Sequence, residues 1–314
     1  MSCNVSARHN YGGWTLVLDA SIDLAPVTLF VGPNLTGKSL IMCLIASSAF
    51  SEKAKETYPE TCPTEVRKGG NVTCSIETGY GLFLDAYRTS AYIYEKVRDR
   101  LHDIRRKGKF LEPYTETEIR ETGERIDTAI RHIVNLLERD LLLLLNAKKM
   151  IEERLLVEAE RTIENELERF QSYIREMKLQ ADVDYLMPIS ISPTDKGYIW
   201  SDVAGPAGEG LLHLSTGFAA AMVVTALKYA YASARREPVY LFVEEPEAHA
   251  GPLQAFFLGH LAAVLTKRAE ERGAKLFFVA STHSLEFVRG AISGWTNIYV
   301  TERSVDKENK TITL

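Results

Sequence analysis

Short apolar runs rich in β-branched and aromatic residues occupy both ends of this chain, and its middle is paced at helical steps. Near the N-terminus, residues 14–18, 27–31, 72–77 and 82–87 read as strands, punctuated by Gly12-Gly13, Gly69-Gly70, Gly79 and Gly81. In the middle, Ile119, Ile126, Ile130, Ile133 and Leu137 recur at steps of three, four and seven. Leu155, Ala159, Ile163, Leu167, Phe170, Ile174 and Met177 continue at steps of three and four. Both sets predict long amphipathic helices, and 141–145 is an apolar run within such a helix. Pro113 cannot sit in a helix interior, so a break at 108–113 separates an earlier helix over about 90–106. Beyond the middle, 188–192 and 197–201 predict a hairpin around Pro193-Thr194-Asp195-Lys196. The runs 239–243, 276–280 and 297–301 alternate with helical segments, the βαβ rhythm of a parallel sheet buried on both faces. The flanks, 1–87 and 182–314, are therefore expected to form one discontinuous α/β domain. Residues 88–181 are its helical insertion, in the simplest case a short antiparallel coiled coil.

Charge sharpens this division, because 91–180 holds 37 of the 79 charged side chains in under a third of the 314 residues. A composition of 46% hydrophobic and 25% charged residues excludes disordered and collagen-like chains. The longest apolar candidate, 217–227, is stopped by Lys228 well short of the roughly 18 residues of a membrane span, so no bilayer crossing is expected. The first ten residues lack the apolar core of a secretory signal, and Cys3, Cys43, Cys62 and Cys74 form no C-x-x-C pair, so a reducing cytoplasm is the expected setting. A net charge of -5 argues against binding nucleic acid over the whole surface. A local basic face, such as Arg105-Arg106-Lys107-Gly108-Lys109, would either touch phosphates or simply be solvated.

The chemistry is concentrated in three places. Gly32-Pro33-Asn34-Leu35-Thr36-Gly37-Lys38-Ser39 fits G-x-x-x-x-G-K-[ST], follows the strand at 27–31, and precedes a helix over 39–48 that starts with Ser39 and Leu40. Glycines let the backbone N–H groups turn toward phosphates, the helix start adds positive field, Lys38 reaches the β- and γ-phosphates, and the Ser39 hydroxyl takes a magnesium position. Val239-Tyr240-Leu241-Phe242-Val243 ends in Glu244-Glu245, which places two carboxylates where a parallel sheet opens onto its ligand. Glu244 is then a metal-site residue, and Glu245 orients or deprotonates the water that attacks the γ-phosphate. Leu214-Ser215-Thr216-Gly217-Phe218 heads an apolar helix over 219–232, and Ser215 suits either an N-cap or a phosphate contact. His283, in Ala280-Ser281-Thr282-His283-Ser284, stands at a further strand end.

In this order, phosphate loop, helical insertion, LSTG, Glu-Glu strand end and Thr-His-Ser, the chain resembles the ABC-type ATPase heads of the SMC, double-strand-break repair and OLD-like families. Val243-Glu244-Glu245-Pro246-Glu247-Ala248-His249 and Asp85-Ala86-Tyr87-Arg88-Thr89-Ser90 are most similar to OLD-like members. The resemblance covers 14–48, 82–91 and 210–301. It implies a P-loop NTPase fold with a mixed sheet, ATP and magnesium as cofactors, and an ATP-dependent homodimer. It further implies that Ser215 and Gly217 serve the γ-phosphate of a partner subunit, that Glu245 is the catalytic carboxylate and that His283 is the switch histidine. The chain departs from the family in one respect. Its glutamines are Gln171, Gln180 and Gln254, so the early loop glutamine common in ABC heads has no counterpart, and Arg88 or Asp85 stands in that region. The expected function is a magnesium-dependent ATPase switch in DNA repair, chromosome maintenance or defence against phage and plasmids, acting with nucleic acid or a separate effector protein. Two alternatives stay open, an ABC-transporter ATPase subunit and a non-hydrolysing ATP-gated scaffold.

Overall fold

The computed structural model describes residues 1–11, 13–50, 70–84, 152–176, 190–194, 197–202, 205–209, 217–248 and 250–314. The helices expected at 90–106 and 119–137 and the apolar run at 141–145 lie outside these.

Two five-stranded sheets carry the fold. The first is a parallel sheet in the order β11-β3-β10-β9-β5, made of β3 (Val27–Val31), β5 (Tyr80–Leu84), β9 (Val239–Glu244), β10 (Leu276–Thr282) and β11 (Thr296–Val300). Every residue of β9 and β10 is buried, so their sequences run continuously apolar instead of alternating, as both faces of the sheet are covered. The covering helices are α1 (Lys38–Ala49), α3 (Gly217–Ser233), α4 (Pro252–Glu271) and α5 (Leu285–Ala291).

The second sheet contains β1 (Ser2–Tyr11), β2 (Trp14–Asp23), β4 (Gly70–Cys74), β12 (Ser304–Asp306) and β13 (Thr311–Thr313), in the order β12-β13-β2-β1-β4. Its pairs are antiparallel except for β13 with β2. The single mixed sheet expected from the sequence is thus resolved into a parallel sheet and a largely antiparallel one, and α1 touches both. β1 was not foreseen, since its buried side is only Cys3, Val5 and Ala7. Register places Cys3 opposite Cys74, and the two are disulfide-bonded across a sequence separation of 71. That bond departs from the reduced thiols expected from cysteine spacing, because only strand pairing brings the two together. A separate three-stranded sheet, β6 (Ser190–Thr194), β7 (Gly197–Asp202) and β8 (Gly205–Glu209), contains the expected hairpin with its first strand shifted by two residues.

Residues expected in the helical insertion form α2 (Glu153–Glu176), which packs on α3 and α4. Its apolar stripe is spent on the main core, since Leu155, Ala159, Ile163 and Leu167 join the same buried cluster as β9 and β10. Polar ties fix its register: Tyr231 donates to Glu158 at 2.5 Å, Lys228 pairs with Glu160 at 2.8 Å, and Glu166 meets both Arg169 at 2.8 Å and His260 at 2.9 Å. Burial and the Glu158 contact push the Tyr231 phenol up to about 12. No helix among the described residues is long and apolar enough to cross a membrane.

Ile163 is 1% exposed on this stripe. Ile163→Ala should lower the unfolding free energy by about 2–5 kcal/mol, the usual cost of a cavity in a packed core, read from the urea midpoint. A variant as stable as the parent would show that α2 contributes no core packing.

Candidate functional site

The five residues of β3 are buried up to Val31, and the chain then turns through the glycine-rich loop into α1. Two glycines are dictated by space. A β-carbon on Gly32 would lie 2.4 Å from the Thr301 carbonyl oxygen, and Gly37, the N-cap of α1, has φ +84° beside the Leu314 side chain. Leu35 also adopts positive φ, at 64°, and with Pro33 and Asn34 forms the exposed tip of the loop. Thr36, 4% exposed, closes the loop by donating to the Pro33 carbonyl at 2.8 Å, and its hydroxyl lies 2.6 Å from that of Thr301. Lys38 is 8% exposed, and its Nζ donates to the carbonyls of Gly32 and Pro33, both at 2.7 Å. Ser39 is exposed and Leu40 half-buried. No acidic residue occupies the first turn of α1, so the positive field of its N-terminus is not internally compensated.

Carboxylates converge on this lysine from the end of β9. Glu244 is 6% exposed and in register with Ser281 of β10. Glu245 follows with φ 44°, a left-handed backbone that costs a non-glycine residue about 1–3 kcal/mol and clusters at functional sites. The turn is held because Glu245 N–H donates to the Ser281 carbonyl at 2.8 Å. The Glu245 side chain remains 33% exposed, and its Oε1 lies 3.7 Å from Nδ1 of the half-exposed His283. Glu247, 7% exposed, accepts the Thr282 hydroxyl at 2.5 Å and the His283 N–H at 3.4 Å on Oε1. Its Oε2 is buried without a hydrogen-bond partner among the described residues. Ser284 caps α5 by accepting from the Phe287 N–H at 3.2 Å, which anchors the segment just past His283.

Electrostatics match this geometry. Burial lowers the Lys38 pKa from the ordinary lysine value, and the opposing attraction comes from Glu245, Glu247 and Glu244 in that order. Burial raises the Glu247 carboxyl, against the stabilising contacts of Thr282 and His283.

The structure thus gathers the loop from Gly32 to Ser39, the carboxylates Glu244 and Glu245, and His283 at one end of the parallel sheet. Gly217 opens α3. Ser215 and Arg88, expected as nucleotide contacts, lie outside the described residues, as does His249. Sequence reading missed the Glu247–Thr282 pair as a fixture of the site, and it missed Thr301 and Leu314 as walls of the loop. Thr301 had a signal, since it directly follows β11 and its N–H donates to Val31 at 2.8 Å, which makes it one more strand-end residue. Leu314 had none.

No protein-family model matches this chain, and no curated protein matches it. Among solved structures, it is similar to a nucleotide-free ATP-binding cassette from an ABC transporter, at 14% identity and a TM-score of 0.40, over 99% of this chain and 90% of that one. It is also similar to an SMC head domain from Thermotoga maritima, at 14% identity and a TM-score of 0.39, over 99% of this chain and 96% of that one. At this level of likeness no family is assigned, and the chemistry has to be read from the residues themselves.

The Glu247 shift has a defined pH signature. A carboxyl whose folded pKa lies above its unfolded value stabilises the fold fully below the unfolded value, near 4.5, and loses that contribution as pH rises through the folded value. Relative to Glu247→Gln, which does not titrate, the parent should therefore lose unfolding free energy as pH rises from about 4 to neutrality. Parallel urea titrations across that range test this, and a stability difference that stays flat or grows with pH would be the contrary result.

Proposed function

We propose that this chain is a magnesium-dependent ATPase that uses hydrolysis to reset a conformational switch. The observation that carries it is the position of Lys38. Its buried ammonium is fixed to the carbonyls of the glycine-rich loop and lies within the field of three carboxylates at the end of the parallel sheet. A loop of backbone N–H groups with one lysine suits a triphosphate, and strand-end carboxylates suit a metal and an attacking water.

The donor set fits magnesium. The exposed Ser39 hydroxyl and the Glu244 carboxylate are hard oxygen ligands, and magnesium held there would supply charge that offsets the phosphate oxygens. Lys38 moves its hydrogen bonds from the two loop carbonyls to the β- and γ-phosphate oxygens. Glu245, partly exposed and held in a left-handed turn, accepts the proton of the water that attacks the γ-phosphate. His283, next to Glu245, donates to the γ-phosphate and so reports its presence to the start of α5. Glu247 holds the Thr282–His283 backbone in register with the end of β9 and does not itself touch the nucleotide.

In the resemblance to ABC-type heads, one copy leaves one side of the triphosphate to another surface. The resemblance to ABC-type heads supports supplying it from Ser215 and Gly217 of a second copy, so that two ATP molecules are shared in a homodimer. The same resemblance supports a role in DNA repair, chromosome maintenance or defence against phage and plasmids, with nucleic acid or an effector protein as the partner. ATP turnover measured with added DNA, with added RNA and with neither discriminates among these settings.

Two substitutions separate binding from chemistry. Glu245→Gln should bind ATP normally and lose about 10²–10⁴-fold in kcat, whereas Lys38→Ala should lose binding as well, measured by calorimetry and phosphate release. Wild-type turnover in Glu245→Gln would remove Glu245 from the mechanism. Assembly gives a further expectation: Glu245→Gln with magnesium and ATP should double its mass in light scattering, and Ser215→Arg introduced into it should abolish that dimer with monomer ATP affinity retained. An undiminished ATP-driven dimer in the Ser215→Arg variant would return that serine to an ordinary helix cap.

A further inference from the structure

At the opposite end of the parallel sheet lies a cavity of about 740 Å³ among the start of α2, the C-terminal ends of α3 and α4, and the residues leading into β9 and β10. Its wall carries four guanidiniums, Arg154, Arg235, Arg236 and Arg272, against two carboxylates, Glu152 and Glu237. Arg235 is neutralised by Glu152 at 2.6 Å. Arg154 and Arg236 have neither a hydrogen bond nor an ion pair among the described residues. Arg272 has no carboxylate partner either. One Nη of its guanidinium donates to the Tyr231 carbonyl and the group lies 4.3 Å from the centre of the Tyr231 ring, and its Nε is buried without a hydrogen-bond partner among the described residues.

Three guanidiniums gathered on one concave wall repel one another, and in a chain of net charge -5 acidic residues were available to pair with them. Planar guanidinium forks recognise phosphate oxygens two at a time, which a lysine cluster does not. The volume is that of a small-molecule site and exceeds what a single ion needs. Tyr80, Leu155 and Ala234 provide an apolar side to the same cavity. β9 spans six residues between Glu237 and the catalytic end, so the two sites are about 20 Å apart at roughly 3.3 Å per residue.

We infer that this cavity is a second anion site, separate from the phosphate loop, which takes a phosphate-bearing ligand on Arg154, Arg236 and Arg272. The ligand is a run of phosphates, either free or carried on the backbone of a nucleic-acid strand. The inference does not rest on the ATPase reading, because none of these arginines belongs to the phosphate loop or the carboxylate cluster.

The test uses full-length Lys38→Ala protein, so that the phosphate loop does not obscure the result. Calorimetric titration with sodium tripolyphosphate forms one arm and titration with a 5′-phosphorylated twelve-nucleotide oligo(dT) the other. Saturable binding of at least one probe is expected, weakened about tenfold or more by the exposed pair Arg154→Glu and Arg236→Glu. Binding of tripolyphosphate identifies free phosphates as sufficient, and binding of the oligonucleotide alone identifies the strand backbone. Failure of both probes to bind, or binding that survives the charge reversal, overturns the site. Neither result bears on ATP hydrolysis by the unsubstituted protein.

Discussion

The burial of one ammonium sets the terms for the C-terminal end of the parallel sheet. Burial lowers the pKa of Lys38, which is 8% exposed, and its two carbonyl acceptors only partly replace the water it has lost. Glu244, Glu245 and Glu247 supply the missing counter-charge, each from a position that the backbone fixes before any ligand arrives. Glu244 and Glu247 are themselves almost wholly buried, and Glu247 is supported by Thr282 and His283. Loop, strand end and carboxylate turn therefore form one electrostatic unit, and the left-handed backbone at Glu245 is held by its N–H bond to the Ser281 carbonyl on one side and by the Ala248 N–H bond to its own carbonyl on the other.

What the sequence made legible is what depends on neighbours along the chain. The glycine-rich loop, the strand before it and the helix after it are local, and Gly32 to Lys38 were read in place. The buried strands β9 and β10 were read as well, since parallel strands covered on both faces leave a continuous apolar signature in Val239–Glu244 and Leu276–Thr282. Contacts between distant segments left no such trace. Thr301 reaches Thr36 across 265 positions, Leu314 packs on Gly37, and Cys3 meets Cys74 only because β1 and β4 pair. The helical period at 155–174 was equally visible, but periodicity states which face is apolar and not what covers it. The stripe of α2 packs on α3 and α4 and joins the main buried cluster.

Glu247 shows how a residue can be visible in sequence while its contacts are not. It is the third carboxylate of Glu244-Glu245-Pro246-Glu247, and nothing local sets it apart from the two before it. The structure places it 7% exposed, bonded to the hydroxyl of Thr282 and to the backbone of His283. It thereby ties the segment that carries His283 to the turn that carries Glu245. Only the convergence of β9 and β10 at their C-terminal ends makes that tie possible.

The two ends of β9 gather side chains of opposite sign. At the C-terminal end three carboxylates stand around one ammonium, oxygen donors that suit a cation alongside any phosphate that binds there. At the N-terminal end Arg154, Arg236 and Arg272 line a cavity with no carboxylate partner among the described residues, and the lining there is mostly positive. A net charge of -5, read from the whole chain, predicts neither. The reason is that the field inside a concave site is set by the few groups that share its low-dielectric walls, whereas charges elsewhere on the surface are screened over about 8–10 Å at ordinary ionic strength. With about 20 Å of buried strand between them, the two ends do not neutralise each other.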